Sequence, residues 1–221
     1  MCQASTPHPR GNQTVPAEPD GTLRAAPDPP AVHRTARPSA WVERWLGEPG
    51  SDRRLLDFAS GAGRHARLAA ARGFRVLAVD RDPVCLQLNE VKNIEARVED
   101  LESGRWSFAA ERFDAVVVTH FLFRPRLDLL AGLLAAGGRL IYETFAVGNE
   151  AYGKPSNPAF LLRPDELFRL ARRTGLVVAG YEHGVTDRQQ PALVQRLAAV
   201  RPPFDPESIP LVGPMDRRGV R

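Results

Sequence analysis

The stretch LLDFASGAGRHA at residues 55–66 decides the fold of this chain. Its first half is apolar, as in a buried strand, and its second half contains Gly61 and Gly63. Glycine lets the backbone bend sharply and leaves room for a ligand beside it. A helix starting at Arg64 directs the positive end of its dipole at the same place, which favours an anionic group there. The stretch therefore predicts a strand, a ligand-binding turn and a helix.

Length and composition indicate one globular domain. The chain has 221 residues, of which 43% are hydrophobic, enough to bury a sizeable core. No apolar run approaches the roughly 18 to 20 residues that span a bilayer, and the Pro-rich beginning has no signal-peptide core. The two cysteines, Cys2 and Cys85, have no metal-ligand neighbours. We expect a cytoplasmic protein with no membrane partner and no metal site.

The basic charge of the chain does not have the pattern of a nucleic-acid-binding surface. The formal net charge is +4, and all of the 30 basic residues except Lys92 and Lys154 are arginines. They are scattered among Ala, Gly and Pro, with no basic stripe interleaved with aromatics. We therefore expect no nucleic-acid partner.

The chain divides into a central domain and two tails. Residues 1–38 are rich in Pro, Ala and Arg with few large apolar residues, which predicts a disordered tail. The domain is expected over residues 39–200, beginning with Ser39 as the cap of a short helix. Residues 201–221 are again rich in Pro, Arg and Gly and predict a loose tail.

Within the domain, strand and helix patterns alternate. Strands are predicted at 54–59, 75–80, 96–98, 113–119 and 139–144, and helices at 64–72, 83–92, 126–135 and 164–174. This alternation predicts an α/β fold with a parallel sheet and helices on both faces. The last two strands, at 176–183 and 191–200, are too close for a helical crossover and should pair antiparallel. The expected sheet thus has seven strands and is mostly parallel.

Two classes of cofactor fit the turn. The pattern Gly61-x-Gly63-x-x-Ala66, with Asp80 after the next strand, also matches the dinucleotide fingerprint of an NAD-dependent oxidoreductase. However, Asp57 lies beside the turn and would repel each charge of a pyrophosphate about 8 Å away by about 2 kcal/mol. The ammonium and sulfonium of S-adenosylmethionine would be attracted instead.

Two further features favour S-adenosylmethionine. Asp100 follows the third strand, where its carboxylate can accept a hydrogen bond from an adenine amino group. The antiparallel pair at the end of the domain also departs from the parallel strands with which a dinucleotide fold normally continues.

The segments 56–63, 79–80, 98–101 and 113–117 resemble, in order and spacing, the signature segments of class I S-adenosylmethionine-dependent methyltransferases. The resemblance covers about residues 38–201 and implies a Rossmann-like fold. Within that superfamily the chain looks like the small bacterial tellurite-resistance-type and thiopurine-type methyltransferases. It departs from the pattern at Ala59, where a first glycine is usual, and at His120, where relatives tend to have asparagine.

The resemblance implies a cofactor site made of Asp57, Ala59, Gly61, Gly63, Arg64, Asp80, Asp100, Leu101 and Thr119. Asp80 is expected to accept both ribose hydroxyls, with a simple acid at the start of a loop as the alternative. Asp100 either contacts adenine or caps a helix. Arg64 either adds charge to the site of the methionine carboxylate or lies on the surface.

On the acceptor side, His120 is a candidate base because histidine exchanges protons near neutral pH. The alternative is a histidine hydrogen-bonded in its turn. Arg124 is expected to position an acceptor, and Glu143 either faces the pocket or pairs with an arginine. The segment 144–163 has no helical or strand period, so it is a lid over the acceptor or a mobile insertion; its Tyr152 and Asn157 are substrate-binding candidates.

These features predict in-line methyl transfer to a small-molecule acceptor. The segment 119–122 lacks the Asn/Asp-Pro-Pro-aromatic element of adenine-type enzymes and the cysteine needed for cytosine methylation. An RNA or protein methyltransferase, and a non-catalytic module that binds S-adenosylmethionine, remain as alternatives.

Overall fold

The computed structural model describes residues 37–47, 52–187 and 189–209. Nearly all of the predicted tail at 1–38 and most of the one at 201–221 lie outside these ranges. The α-helices are α1 (Ala40–Trp45), α2 (Arg64–Ala71), α3 (Leu127–Gly132) and α4 (Glu166–Arg173). The strands are β1 (Arg54–Phe58), β2 (Arg75–Asp80), β3 (Ile94–Val98), β4 (Phe113–Thr119), β5 (Leu134–Phe145), β6 (Val177–Val185) and β7 (Leu193–Val200).

The strands form one sheet in the order β3-β2-β1-β4-β5-β7-β6. Strands β1 to β5 are parallel, and β7 runs antiparallel to both of its neighbours. The predicted fold class is thus confirmed. The chain order reverses between β1 and β4, and ligands of open α/β sheets bind at the carboxyl ends of strands beside such a reversal. The turn after β1 lies at this position.

Each face of the sheet carries helices. Side chains alternate along a strand, so the neighbours Leu55 and Leu56 point to opposite faces and belong to different hydrophobic clusters. On the Leu55 face the sheet packs against α1 and α2, and on the Leu56 face it packs against α3 and α4. Both faces are therefore covered, as the alternating pattern predicted.

Several boundaries differ from those predicted. The predicted helix at 83–92 is a 3₁₀ helix over Pro83–Glu90, and Ile94 already begins β3. The predicted helix at 126–135 ends at Gly132, because Leu134 pairs with Phe113 and so belongs to the sheet. Pairing with β4 is irregular before Arg139, which explains why the sequence pattern marked only the later part of β5 as a strand.

The first helix is held to the sheet by two tryptophans. Ser39 caps α1 by accepting the Trp41 N–H, as predicted, and Trp41 and Trp45 are buried. The Trp41 Nε1 donates to the Leu197 carbonyl of β7 at 3.2 Å. A Cβ on Gly180 of β6 would lie 2.4 Å from Cζ2 of Trp45, so this position has room only for glycine.

We expect Gly180→Ala to lower the free energy of unfolding by about 1–3 kcal/mol, because the added methyl overpacks the contact with Trp45. Gly184→Ala on the same strand is the matched control, since no described atom lies within 4 Å of its added Cβ. Gly184→Ala should change the free energy of unfolding by no more than about 0.5 kcal/mol. Urea unfolding of both variants checks the prediction, and equal losses would show that Trp45 does not restrict Gly180.

Candidate functional site

The turn after β1 is tied to α2 by a buried carboxyl. Asp57, at the carboxyl-terminal part of β1, is 1% exposed, and its Oδ2 accepts the Ala66 N–H at 2.9 Å. Ala66 lies in the first turn of α2, where backbone N–H groups have no partner within the helix. Asp57 therefore sets the position of the helix relative to the strand.

The two glycines of the turn serve different purposes. A Cβ on Gly63 (φ +77°) would lie 2.3 Å from Cδ1 of Leu88, so close packing against the Pro83–Glu90 turn requires a glycine here. Beside Gly61 (φ +52°) no described atom lies within 4 Å of an added Cβ, so its backbone is open to a ligand. Ala59 also has a positive φ of +61°, in the left-handed region where glycine is favoured.

Asp80, at the end of β2, meets the same turn. Its Oδ2 accepts the Gly61 N–H at 2.7 Å, and its Oδ1 accepts the Asp82 N–H at 2.9 Å. A carboxylate has about four lone-pair positions, so both oxygens can accept further hydrogen bonds. The structure thus brings Asp57, Gly61 and Asp80 together at one edge of the sheet.

Burial raises the pKa of Asp57 to about 7. The Ala66 hydrogen bond and the charge of Arg64 oppose this shift, and the charge of Asp80 adds to it. The carboxyl is therefore only partly ionised at neutral pH, and Asp57 carries less than the full negative charge that was expected from the sequence. A cation bound next to it would lower this pKa and complete the ionisation.

Asp100 is exposed and caps its own loop. Its Oδ1 accepts the Glu102 N–H at 2.9 Å and its Oδ2 accepts the Ser103 hydroxyl at 2.8 Å. These hydrogen bonds lower the pKa of Asp100. The alternative of a helix cap is wrong, because residues 101–104 form a bend and no helix directly follows Asp100; its bonds within the loop leave lone pairs on the carboxylate for other donors. The next residue, Leu101, has its side chain in the core.

Two further predicted cofactor residues contact parts of the chain beyond the turn. The Arg64 Nη1 donates to the Arg37 carbonyl at 3.4 Å, so the chain before α1 passes the start of α2. Thr119, at the end of β4, is 9% exposed, and its Oγ1 lies 3.4 Å from Nδ1 of His65.

His120 follows β4 directly and has a strained backbone. Its φ is +54°, and its N–H donates to the Glu143 carbonyl at 3.0 Å. The imidazole is exposed and stacks on Phe145, with ring centroids 5.0 Å apart. Positive φ at a residue other than glycine costs about 1–2 kcal/mol and is common at functional sites.

The two charged residues predicted on the acceptor side both have internal partners. Arg124 forms a two-pronged ion pair with Glu166, at 2.7 and 2.9 Å, which raises the pKa of Arg124. Glu143 is buried and pairs with Arg196 at 2.8 Å. Of the two alternatives for Glu143, the structure therefore shows the ion pair with an arginine.

The segment 144–163 is exposed over most of residues 150–160, whereas Asn149 is buried and hydrogen-bonded to Pro155 and Leu193. Arg124 also donates to the carbonyls of Ala159 and Leu161, which ties this segment to the end of β4. Tyr152 is 47% exposed. Asn157 is exposed and caps the Pro158–Phe160 turn by accepting the Ala159 N–H.

The sequence reasoning missed a buried polar network beneath α1. The Ser39 N–H donates to Nε2 of His65 at 3.1 Å, and the Ser39 hydroxyl donates to Glu143 at 2.8 Å. Ser39 was recognised only as a helix cap and His65 only as part of the glycine-turn motif. The hydrogen bonds of Ser39 join residues 26 and 104 positions apart in the chain, so local sequence patterns do not predict them.

Within the described ranges, no helix is both long and apolar enough to cross a bilayer. No group of three or more His, Cys, Asp or Glu side chains in the described residues is arranged to hold a metal ion.

Comparisons with known proteins bear on the family and the fold of the chain. A family model described as a methyltransferase domain matches residues 31–179. A search of curated proteins found no match.

Among solved structures the chain is similar to TehB from Haemophilus influenzae, with 19% identity and a TM-score of 0.58 over 68% of this chain and 58% of that one. It is similar to the N-methyltransferase NodS from Bradyrhizobium japonicum WM9, with 16% identity and a TM-score of 0.55 over 73% and 92% of the two chains. A third similar structure is the 1,6-didemethyltoxoflavin-N1-methyltransferase of Burkholderia thailandensis with bound S-adenosylhomocysteine, with 19% identity and a TM-score of 0.52 over 71% and 73%. At these identities the structural likeness concerns the fold.

We expect Asp57→Asn to stabilise the protein at pH 8 by about 1–4 kcal/mol. Because the pKa of Asp57 is higher in the folded state, its contribution to stability is complete below the unfolded value near 3.8 and is lost as pH rises through about 7. Asparagine stays neutral, and its amide oxygen can still accept the Ala66 N–H. Urea unfolding from pH 4 to pH 8 should show the advantage of the variant growing with pH; a constant difference would contradict the raised pKa.

Proposed function

The chain belongs to the methyltransferase-domain family, and on that basis we propose that it transfers the methyl group of S-adenosylmethionine to a small-molecule acceptor. The observation that carries the proposal is the turn between β1 and α2, where the carboxyls of Asp57 and Asp80 each accept a backbone N–H around an open glycine. The cytoplasmic location predicted from the sequence is part of the same proposal.

In this proposal the turn holds the ribose and methionine parts of the cofactor. Asp80 accepts the ribose hydroxyls with its remaining lone pairs, in charge-assisted bonds worth roughly 1.5–3 kcal/mol each. The open backbone at Gly61 lets the ligand approach closely. Asp57 lies near the ammonium, which lowers the pKa of its carboxyl, so that cofactor binding and ionisation of Asp57 are coupled.

The remaining cofactor contacts come from the neighbouring loops. Asp100 uses a lone pair left over from its loop cap to accept the adenine amino group, and the backbone of Leu101 borders the ring. Arg64, at the start of α2, adds positive charge near the methionine carboxylate. Thr119 supports the cofactor from the end of β4.

S-adenosylmethionine supplies an electrophilic methyl group on a positively charged sulfur. The chain's main task is then to align the acceptor with that methyl within about 3–3.5 Å and to exclude water. His120 stands at the end of β4 in a strained conformation, as expected for a residue kept in place by function. We propose that it takes a proton from a hydroxyl or amine acceptor, whereas an anionic acceptor needs no base.

The segment 144–163 acts as a lid in this proposal, with Tyr152 and Asn157 facing the acceptor when it closes. Arg124 is engaged with Glu166 and two carbonyls of this segment, so it acts on the acceptor through the lid. Glu143 likewise acts through its partners, because its carboxylate is buried. Because Arg124 and Glu143 are already paired, a charged acceptor would need another side chain of opposite charge.

Cofactor binding by calorimetry tests the first half of the proposal. We expect micromolar binding of S-adenosylhomocysteine and none of NAD, and the reverse pattern would defeat the proposal. Asp80→Ala should weaken S-adenosylhomocysteine binding at least about tenfold, because it removes the acceptor of two ribose hydroxyls. Asp114→Asn is the control, since Asp114 accepts the Arg54 N–H at the opposite edge of the sheet.

Transfer of a labelled methyl group tests the second half. Incubation with labelled S-adenosylmethionine and cell extract should label a product that survives nuclease and protease treatment. His120→Ala should slow the transfer by about 10² to 10⁴-fold if the acceptor must lose a proton. Label that disappears with nuclease or protease would identify an RNA or protein methyltransferase, and binding without transfer would identify a non-catalytic module.

A further inference from the structure

The polar network beneath α1 lies against the proposed cofactor turn. Its members Ser39, His65, Thr119 and Glu143 are between 0% and 9% exposed. Buried polar groups are costly unless they are hydrogen-bonded, so this network is an expensive feature at the edge of a largely apolar core. The two buried tryptophans also hold α1 to the sheet, so the network is an additional connection.

His65 connects three parts of the molecule. It lies in the first turn of α2, its Nε2 accepts the Ser39 N–H, and its Nδ1 is 3.4 Å from Oγ1 of Thr119. Because Nε2 accepts, the neutral ring carries its proton on Nδ1 and can donate it to Thr119. One imidazole therefore joins the start of α2, the segment before α1 and the end of β4.

Ser39 extends this connection to β5 and β7. Its hydroxyl donates to Glu143, whose Oε2 also accepts Nε of Arg196 at 2.8 Å. The backbone carbonyl of Glu143 accepts the N–H of His120. The network thus reaches the residue that is proposed to face the acceptor.

Resting on the proposed function, we propose that Ser39 and His65 are positioning residues for methyl transfer. They hold the segment 37–39 across the start of α2, next to the glycine turn, and fix that turn relative to the end of β4. The hydrogen bond from Arg64 to the Arg37 carbonyl also holds this segment against the start of α2.

The test measures S-adenosylhomocysteine affinity and dissociation rate together with thermal stability. His65→Leu removes both ring nitrogens, and Ser39→Ala removes the hydroxyl that donates to Glu143. We expect each to weaken binding by about fivefold to tenfold and to speed dissociation by a similar factor. His65→Gln, whose amide oxygen can replace Nε2 as the acceptor of the Ser39 N–H, should restore affinity to within about twofold.

Thr174→Val is the matched control. It removes a hydroxyl that donates to the Leu170 carbonyl at the end of α4, on the other face of the sheet. It should lower the melting temperature as Ser39→Ala does without changing affinity. If His65→Leu does not fold, the comparison of Ser39→Ala with Thr174→Val decides.

The outcomes separate this inference from the proposed function. Wild-type protein that binds S-adenosylhomocysteine, with Ser39→Ala and His65→Leu losing stability but binding as the wild type does, would overturn the inference alone. Wild-type protein that does not bind S-adenosylhomocysteine would overturn the proposed function and the inference with it.

Discussion

The hydrogen bond from the Ala66 N–H to the buried carboxyl of Asp57 fixes where α2 begins, and the site at this edge of the sheet depends on that position. It satisfies a backbone donor that the helix itself leaves without a partner. It also directs the open side of the turn, at Gly61, toward the end of β2, where Asp80 accepts the Gly61 N–H. The two carboxyls and the open backbone of Gly61 therefore share one location at the carboxyl ends of β1 and β2.

Placing a carboxyl in the core has a cost, and the cost explains how the site can respond to a ligand. Burial raises the pKa of Asp57 to about 7, against the opposing effects of the Ala66 hydrogen bond and Arg64. The group is therefore poised between its neutral and ionised forms. In the proposed function, a bound ammonium pairs with the ionised carboxylate and lowers its pKa, so cofactor binding is coupled to the loss of a proton from Asp57.

The ends of β4 and β5, where the proposed function places the acceptor, are built differently. Arg124 and Glu143, the charged residues nearest in sequence to the ends of β4 and β5, are paired internally with Glu166 and Arg196. Arg124 also donates to the Leu161 carbonyl in the segment 144–163, and Glu143 accepts the hydroxyl of Ser39 just before α1. His120, in contrast, is exposed. The charged side chains at these strand ends thus have structural partners, and the proposed function assigns the exposed imidazole of His120 to the acceptor.

Sequence patterns predicted most of the fold because apolar runs bounded by glycine and polar residues report burial directly. They identified the seven strands, the antiparallel pair and the turn at Gly61 and Gly63. They placed the start of β5 at residue 139 instead of Leu134, because its first residues pair irregularly with β4 and lack the apolar pattern of a strand. They also explained both glycines by the turn and the approach of a ligand, whereas Gly63 is required by its close packing against Leu88.

By itself, the sequence determined the methyltransferase fold and the positions of Asp57, Gly61 and Asp80 at strand ends. The order of the strands along the chain and the spacing of residues within them are local properties, which a sequence shows directly. Only the tertiary structure decided which charges are paired and which groups stay accessible. The partners of Ser39 lie 26 and 104 residues away, and the pKa of Asp57 reflects the atoms packed around it. Such contacts depend on how distant segments meet, which local spacing does not encode.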